Sequence, residues 1–213
     1  MSAACRYDES YAEEVTLRDG TRVRFRLVRP ADKGLFVEAF RRLSPESRYR
    51  RFLAAKKDLT PAELRYLTET DAKGHLAIVA LEGPPGRERG VGVARFVRLG
   101  GEPDAVEAAV AVTDDFHGRG LGTRLAERLL RAARERGVRR VLCEVLAENE
   151  PVRKLIRRLA PRAVERPDGR TVEVEILLGR GASGPFRGLV SLAARGALAL
   201  RRTLKELGSR PRS

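Results

Sequence analysis

At 213 residues, 42% of them hydrophobic, the chain can bury one good core with something left over. Two cysteines, Cys5 and Cys143, and two histidines, His75 and His117, exclude a disulfide framework and a conventional zinc or iron site, so no metal is expected. The net charge of +14 admits an anionic partner, but the arginines are scattered among acids and read as general surface residues, while aromatics are 5% with no Trp; base-stacking platforms are scarce, and no specific nucleic-acid partner is indicated.

Residues 1–13 read as an N-terminal extension. Asp8 and Glu9 lie where a leader would need an apolar stretch, and no apolar run is long enough to span a bilayer, so a soluble, cytoplasmic protein is expected. Alternation over 15–28 with Asp19-Gly20 between predicts a hairpin of strands 14–18 and 21–29, stopped by Pro30. Leu35, Phe36, Ala39, Phe40 and Leu43 then recur at helical spacing. Ser44-Pro45-Glu46-Ser47 reads as a second helix start. Thr60-Pro61-Ala62-Glu63 reads as a third, with Thr60 as cap and Pro61 in the first turn. Two apolar strands over 75–81 and 90–99 follow, joined by Gly83-Pro84-Pro85-Gly86.

Strand 105–113 places Val106, Ala108, Val110 and Val112 on one face and Glu107, Ala109 and Ala111 on the other. A helix carrying Leu121, Leu125, Leu129 and Ala132 on one side closes at Gly137. Strand 138–146, helix 149–159 and a hairpin about Pro167-Asp168-Gly169 complete an α/β domain over 14–180. The tail differs. Gly181-Ala182-Ser183-Gly184-Pro185 is a linker by composition, and an apolar stripe from Phe186 to Leu207 predicts a basic amphipathic C-terminal helix. Residues 186–213 hold seven basic residues against the single acid Glu206. Such a helix over 186–207 suits a membrane surface, a partner or self-association, and equally suits packing back on its own domain.

The chemistry concentrates where strand 105–113 meets its helix, at His117-Gly118-Arg119-Gly120-Leu121-Gly122-Thr123. Glycines let a ligand approach the backbone closely, and the following helix contributes unpaired amides and the positive end of its dipole. Strand, glycine turn and helix together make an anion cradle, most naturally for a phosphate or pyrophosphate. It is not a Walker loop, which ends in Gly-Lys-Ser/Thr, nor the G-x-G-x-x-G dinucleotide fingerprint.

The stretch resembles the coenzyme A loop of the GNAT-type N-acetyltransferases, Gln/Arg-x-x-Gly-x-Gly/Ala after a Val-x-Pro strand end, with His117 in place of Gln or Arg and Asp114 in place of Pro. The order of elements is similar to that family over nearly all of 14–180. Leu43 to Leu81, with Leu-Ser-Pro-Glu-Ser-Arg-Tyr-Arg-Arg-Phe at its start, looks like the GNAT domain of bacterial protein-lysine acetyltransferases. The resemblance implies a GNAT-like mixed central sheet flanked by helices. It also implies acetyl-CoA as co-substrate, with direct transfer to a protein lysine or, alternatively, a small amine. A non-catalytic acyl-CoA-binding module is the remaining reading.

On this resemblance, amides of Gly118, Arg119, Gly120, Leu121 and Gly122, with the Thr123 hydroxyl, hold the pyrophosphate; His117 touches phosphate or is structural. Val110 and Val112 bind the pantetheine arm through main-chain groups, and Asn149 contacts it or caps the helix before Pro151. Transfer needs a neutral amine, whereas lysine is protonated at neutral pH, so a base must take the proton. Glu107, an acid in the otherwise apolar run 105–112, is the candidate, with burial expected to raise its pKa; Glu144 is the alternative. Ile156 stands where many members carry a Tyr acid, and Leu159-Ala160-Pro161 replaces the usual Leu-Gly-Phe, so no general acid is assigned.

Overall fold

The computed structural model describes residues 5–179; the helix expected over 186–207 lies outside them. One mixed sheet of eight strands carries the fold, in the order β1 (Ala12–Thr16), β2 (Arg22–Leu27), β3 (His75–Glu82), β4 (Arg89–Leu99), β5 (Glu102–Val112), β6 (Arg140–Leu146), β8 (Thr171–Leu177), β7 (Val164–Asp168). Every pairing is antiparallel except β5 with β6. A parallel neighbour needs a crossover, supplied here by the 3-10 turn Asp114–Phe116 and helix α4 (Leu121–Glu135). Helices α1 (Lys33–Arg42), α2 (Pro45–Phe52) and α3 (Pro61–Thr68) lie between β2 and β3 in the chain, and α5 (Glu150–Leu159) follows β6.

The local signals act as their chemistry requires. Thr60 Oγ1 accepts from Glu63 N–H at 3.2 Å while Glu63 Oε2 accepts from Thr60 N–H at 2.8 Å, a reciprocal cap that starts α3. Ser44 Oγ accepts from Ser47 N–H at 3.1 Å to start α2, and Pro45 and Pro61 occupy first turns. The principal core lies between α4 and the sheet, joining Leu121, Leu125 and Leu129 to Phe25, Ile78, Phe96 and Val106.

The structure departs from the sequence expectations in three places. The packed unit reaches N-terminally of residue 14: Tyr7 and Tyr11 are buried in the core with ring centroids 4.7 Å apart. Arg26, Arg95 and Arg128 are buried rather than superficial. Two of them pair with acids, Arg26 with Asp32 at 2.7 Å and Arg128 with Glu13 at 2.6 Å, as buried charge demands. Strand β5 is longer than expected, because its first residues continue the ladder past a bulge at Arg98/Leu99.

Candidate functional site

The site arises because β5 and β6 part company. They pair only at Ala105–Arg140, Val106–Val141 and Glu107–Leu142. Beyond that, β5 stays with β4 as far as Val112 and β6 stays with β8 as far as Leu146. The gap is a cleft of about 650 Å³ lined by Ala108 to Val112, the glycine turn, Cys143 to Val145, Asn149 and one face of α5. Its coenzyme-sized volume falls within the range of small-molecule sites.

Backbone direction makes β5 the receiving edge. Thr113 N–H donates to Val91 O at 3.0 Å, toward β4. Main-chain groups alternate along a strand, so those of Val110 and Val112 point the other way, across the cleft. A linear amide ligand laid there would be read as an added strand. The Val112 carbonyl is contacted by His117 Nε2 at 3.0 Å, so His117 braces the turn from an exposed position. The side chains of Val106, Ala108, Val110 and Val112 face the opposite layer, the α4 core.

At the open end stands the glycine turn. Gly118 has φ +76° and Gly120 φ +88°, left-handed values that favour glycine. Gly120 caps α4, so the first amides of a 15-residue helix end at the cleft. The hairpin turn between β1 and β2 closes over it. Arg18 Nε lies 3.5 Å from where a Gly120 Cβ would stand, and Arg119 pairs with Asp19 at 3.1 Å. Arg158 donates to the Thr123 hydroxyl, and Arg18, Lys154 and Arg158 line the cleft. A pyrophosphate-bearing coenzyme fits this end: outward amides, a helix N-terminus and three cations. None of those three cations was expected from sequence, because hairpin and α5 meet the turn only in three dimensions.

Just before Ala108, where β5 begins to line the cleft, Glu107 is 7% exposed and flanked on both sides, by Val97 on β4 and Leu142 on β6. It is an interior-strand residue, not an edge residue facing solvent. Register puts it on the face carrying Arg95, opposite Ala109. Arg51 of α2 is electrostatically coupled to it; burial pulls the Arg51 pKa down and Glu107 pushes it up. Arg95 donates to Leu67 O at 2.7 Å and lies 3.0 Å from His75 Nε2. Burial and then Arg95 lower the His75 pKa to about 4, so His75 is neutral and can accept that hydrogen bond. The alternative acid Glu144 lies further along β6, opposite Glu173, whose pKa is raised by burial, then by Asp168 and Glu144.

Asn149 is 8% exposed and lines the cleft. It occupies the N-cap position of α5, where its carbonyl accepts from Arg153 N–H at 3.1 Å, but its side chain makes no cap hydrogen bond. Cys143 also lines the cleft, with its thiol pushed up to about 12 by burial, then by Glu107 and Glu165. Ile156 is buried in the core. Among the described residues no group of three metal-ligating side chains occurs, and no helix is long and apolar enough to cross a membrane.

Residues 36–160 match the acetyltransferase (GNAT) family. The chain belongs to it. An acetyltransferase of Pseudomonas aeruginosa is 34% identical over 156 residues, 73% of this chain and 83% of that one. Acetyltransferase Pat of Mycolicibacterium smegmatis is 37% identical over 145 residues, 68% of this chain, which spans only 43% of Pat. The GNAT domain of S. lividans PAT superposes with a TM-score of 0.72 at 28% identity, covering 80% of this chain and 99% of that domain. The same fold recurs at 19% identity, TM-score 0.59, covering 78% of this chain and 99% of the other, in yncA of Salmonella typhimurium, solved with its cofactor acetyl-CoA. The protein is thus an acetyl-CoA-dependent acetyltransferase with the mixed α/β architecture of the GNAT fold.

Proposed function

We propose that this GNAT acetyltransferase moves the acetyl group directly from acetyl-CoA to a protein lysine, with Glu107 as base. The observation that carries the reading is the placement of Glu107 at the point where β5 leaves β6. Glu107 is the last β5 residue paired with β6, and directly precedes Ala108, the first β5 residue to line the cleft, whose other end carries the glycine turn and its cations. The pyrophosphate would lie on the amides of Gly118 to Gly122, with Arg18, Lys154 and Arg158 neutralising charge. Pantetheine would pair with the main chain of Val110 and Val112, with Asn149 across the cleft. The thioester then falls near Ala108 to Val110.

At that place the neutral amine nitrogen attacks the carbonyl carbon. A main-chain N–H of β5 steadies the developing oxyanion, the N–C bond forms and the C–S bond breaks. Beforehand Glu107 takes the proton of the lysine ammonium, directly or through water, and the proton the nitrogen loses on acylation goes to the departing thiolate, so the coenzyme leaves as its thiol. Cys143 supports direct transfer over a cysteine-acyl intermediate. A thiol pushed up to about 12 is not ionised at neutral pH, and the thiolate is the nucleophile.

For the acceptor, the likeness of residues 43–81 to protein-lysine acetyltransferases and the similarity to Pat and to the GNAT domain of PAT support a protein. The test is incubation with labelled acetyl-CoA and a cell extract, fractionated into proteins and small molecules. Label in lysines of protein is expected. Label confined to small amines would replace the acceptor, and label in neither would refute transfer.

A further inference from the structure

We infer that Asp114 is a positioning residue that couples the coenzyme loop to the acceptor-side helix α2, so that coenzyme loading orders the place where the amine binds. The inference rests on the reading of the cleft as the acetyl-CoA site. Asp114 stands where the resemblance expects Pro, and its carboxylate reaches back about seventy residues in sequence. Oδ2 accepts from Ser44 N–H at 2.6 Å and Oδ1 accepts from the Ser47 hydroxyl. These two groups belong to the N-cap and first turn of α2. Burial raises the Asp114 pKa, but the Ser47 and Ser44 hydrogen bonds outweigh it and hold the carboxyl below its ordinary value. The ionised form also complements the positive end of the α2 dipole.

Both ends of this link touch the cleft. On the coenzyme side, Asp114 opens the 3-10 turn that leads into Gly118, and its carbonyl accepts from His117 N–H at 3.2 Å. On the acceptor side, α2 and the residue that precedes its cap contribute Leu43, Ser47, Arg50 and Arg51 to the cleft wall, beside Arg18, Phe116 and the glycine turn. An amine must pass this wall to reach the thioester. Arg51, the residue coupled to Glu107, sits one turn along α2 from Ser47. Phosphates that fix the amides at 118–122 therefore fix the turn, the turn fixes Asp114, and Asp114 fixes the helix that carries Arg51. A proline at this position could make neither hydrogen bond.

Hydrogen exchange with acetyl-CoA alone tests this without an acceptor. In the wild-type chain, saturating acetyl-CoA should slow exchange in both 118–125 and 44–52, the latter by about tenfold, an ordinary size for inter-site coupling. Asp114→Ala should still bind acetyl-CoA and protect 118–125, with no added protection of 44–52. Asp114→Asn, which keeps one acceptor oxygen, should recover part of it. Equal protection of 44–52 in wild type and Asp114→Ala would overturn the coupling. So would an Asp114→Asn chain in which protection of the two segments is lost together. Absence of protection at 118–125 in the wild type would instead refute the coenzyme site itself.

Discussion

His75 provides a stability measurement whose size follows from its surroundings. Its imidazole lies against the Tyr66 ring, with centroids 5.0 Å apart, and 3.0 Å from the Arg95 guanidinium. Burial and that cation hold its pKa near 4 in place of 6.5. A folded-state pKa below the unfolded one means that the unfolded chain binds more protons between pH 6.5 and 4. Stability contributed by neutral His75 is therefore complete above about pH 6.5 and falls away as the pH drops toward 4. At pH 5 the loss amounts to about 2 kcal/mol, from a shift worth ~1.4 kcal/mol per unit. Urea unfolding of wild type and His75→Gln at pH 7.5 and pH 5 isolates this contribution, since glutamine can still accept from Arg95 but does not titrate. Carboxylates weaken both proteins alike in acid, so the wild type should lose about 2 kcal/mol more than the variant between the two pH values. Equal losses would refute a buried, neutral His75.

Other consequences can be checked alongside. Gly120→Val must hold a branched side chain at φ +88° with Arg18 at 3.5 Å, a strain of about 1–3 kcal/mol. It should abolish acetyl-CoA binding by calorimetry; retained affinity would remove the glycine turn from the site. Arg128→Met keeps most of the buried stem but removes from Glu13 the two guanidinium hydrogen bonds at 2.6 and 3.3 Å, leaving it the Tyr11 hydroxyl at 2.9 Å and Arg6 at 3.4 Å. A fall of about 2 kcal/mol in urea unfolding is expected, and an unchanged midpoint would contradict the pairing. Ser47→Ala should weaken the hold of Asp114 on α2 less than Asp114→Ala does, because the Ser44 N–H bond survives; exchange rates over 44–52 measure the difference.

Most elements were legible in the sequence because their signals are local. Asp19-Gly20, Ser44-Pro45, Thr60-Pro61 and Gly137 each act within a few residues, and the structure has a turn, a cap or a helix end at each. The glycine turn was legible for the same reason, and the family resemblance joined it to a coenzyme. What was hidden depends on distant contacts. The splay of β5 from β6, which creates the cleft, leaves no periodic trace. Arg18, Lys154 and Arg158 looked like any surface cation. Arg95 read as a surface residue, although β4 places it under α3, where Leu67 O and His75 receive it. Asp114 was visible only as a departure from Pro; its partners are Ser44 and Ser47, about seventy positions earlier. Asn149 sits where a helix cap is expected, yet its side chain lines the cleft and makes no cap bond.

The central claim is that Glu107, buried where β5 leaves β6, takes the proton of an acceptor amine. Glu107→Gln keeps the shape and removes the base. The decisive measurement is acetyl-CoA affinity and single-turnover transfer to extract protein for the wild type and this variant across pH 6 to 9. Binding should match the wild type while transfer falls by roughly a hundredfold or more. Turnover equal to the wild type at every pH, with binding intact, would contradict it.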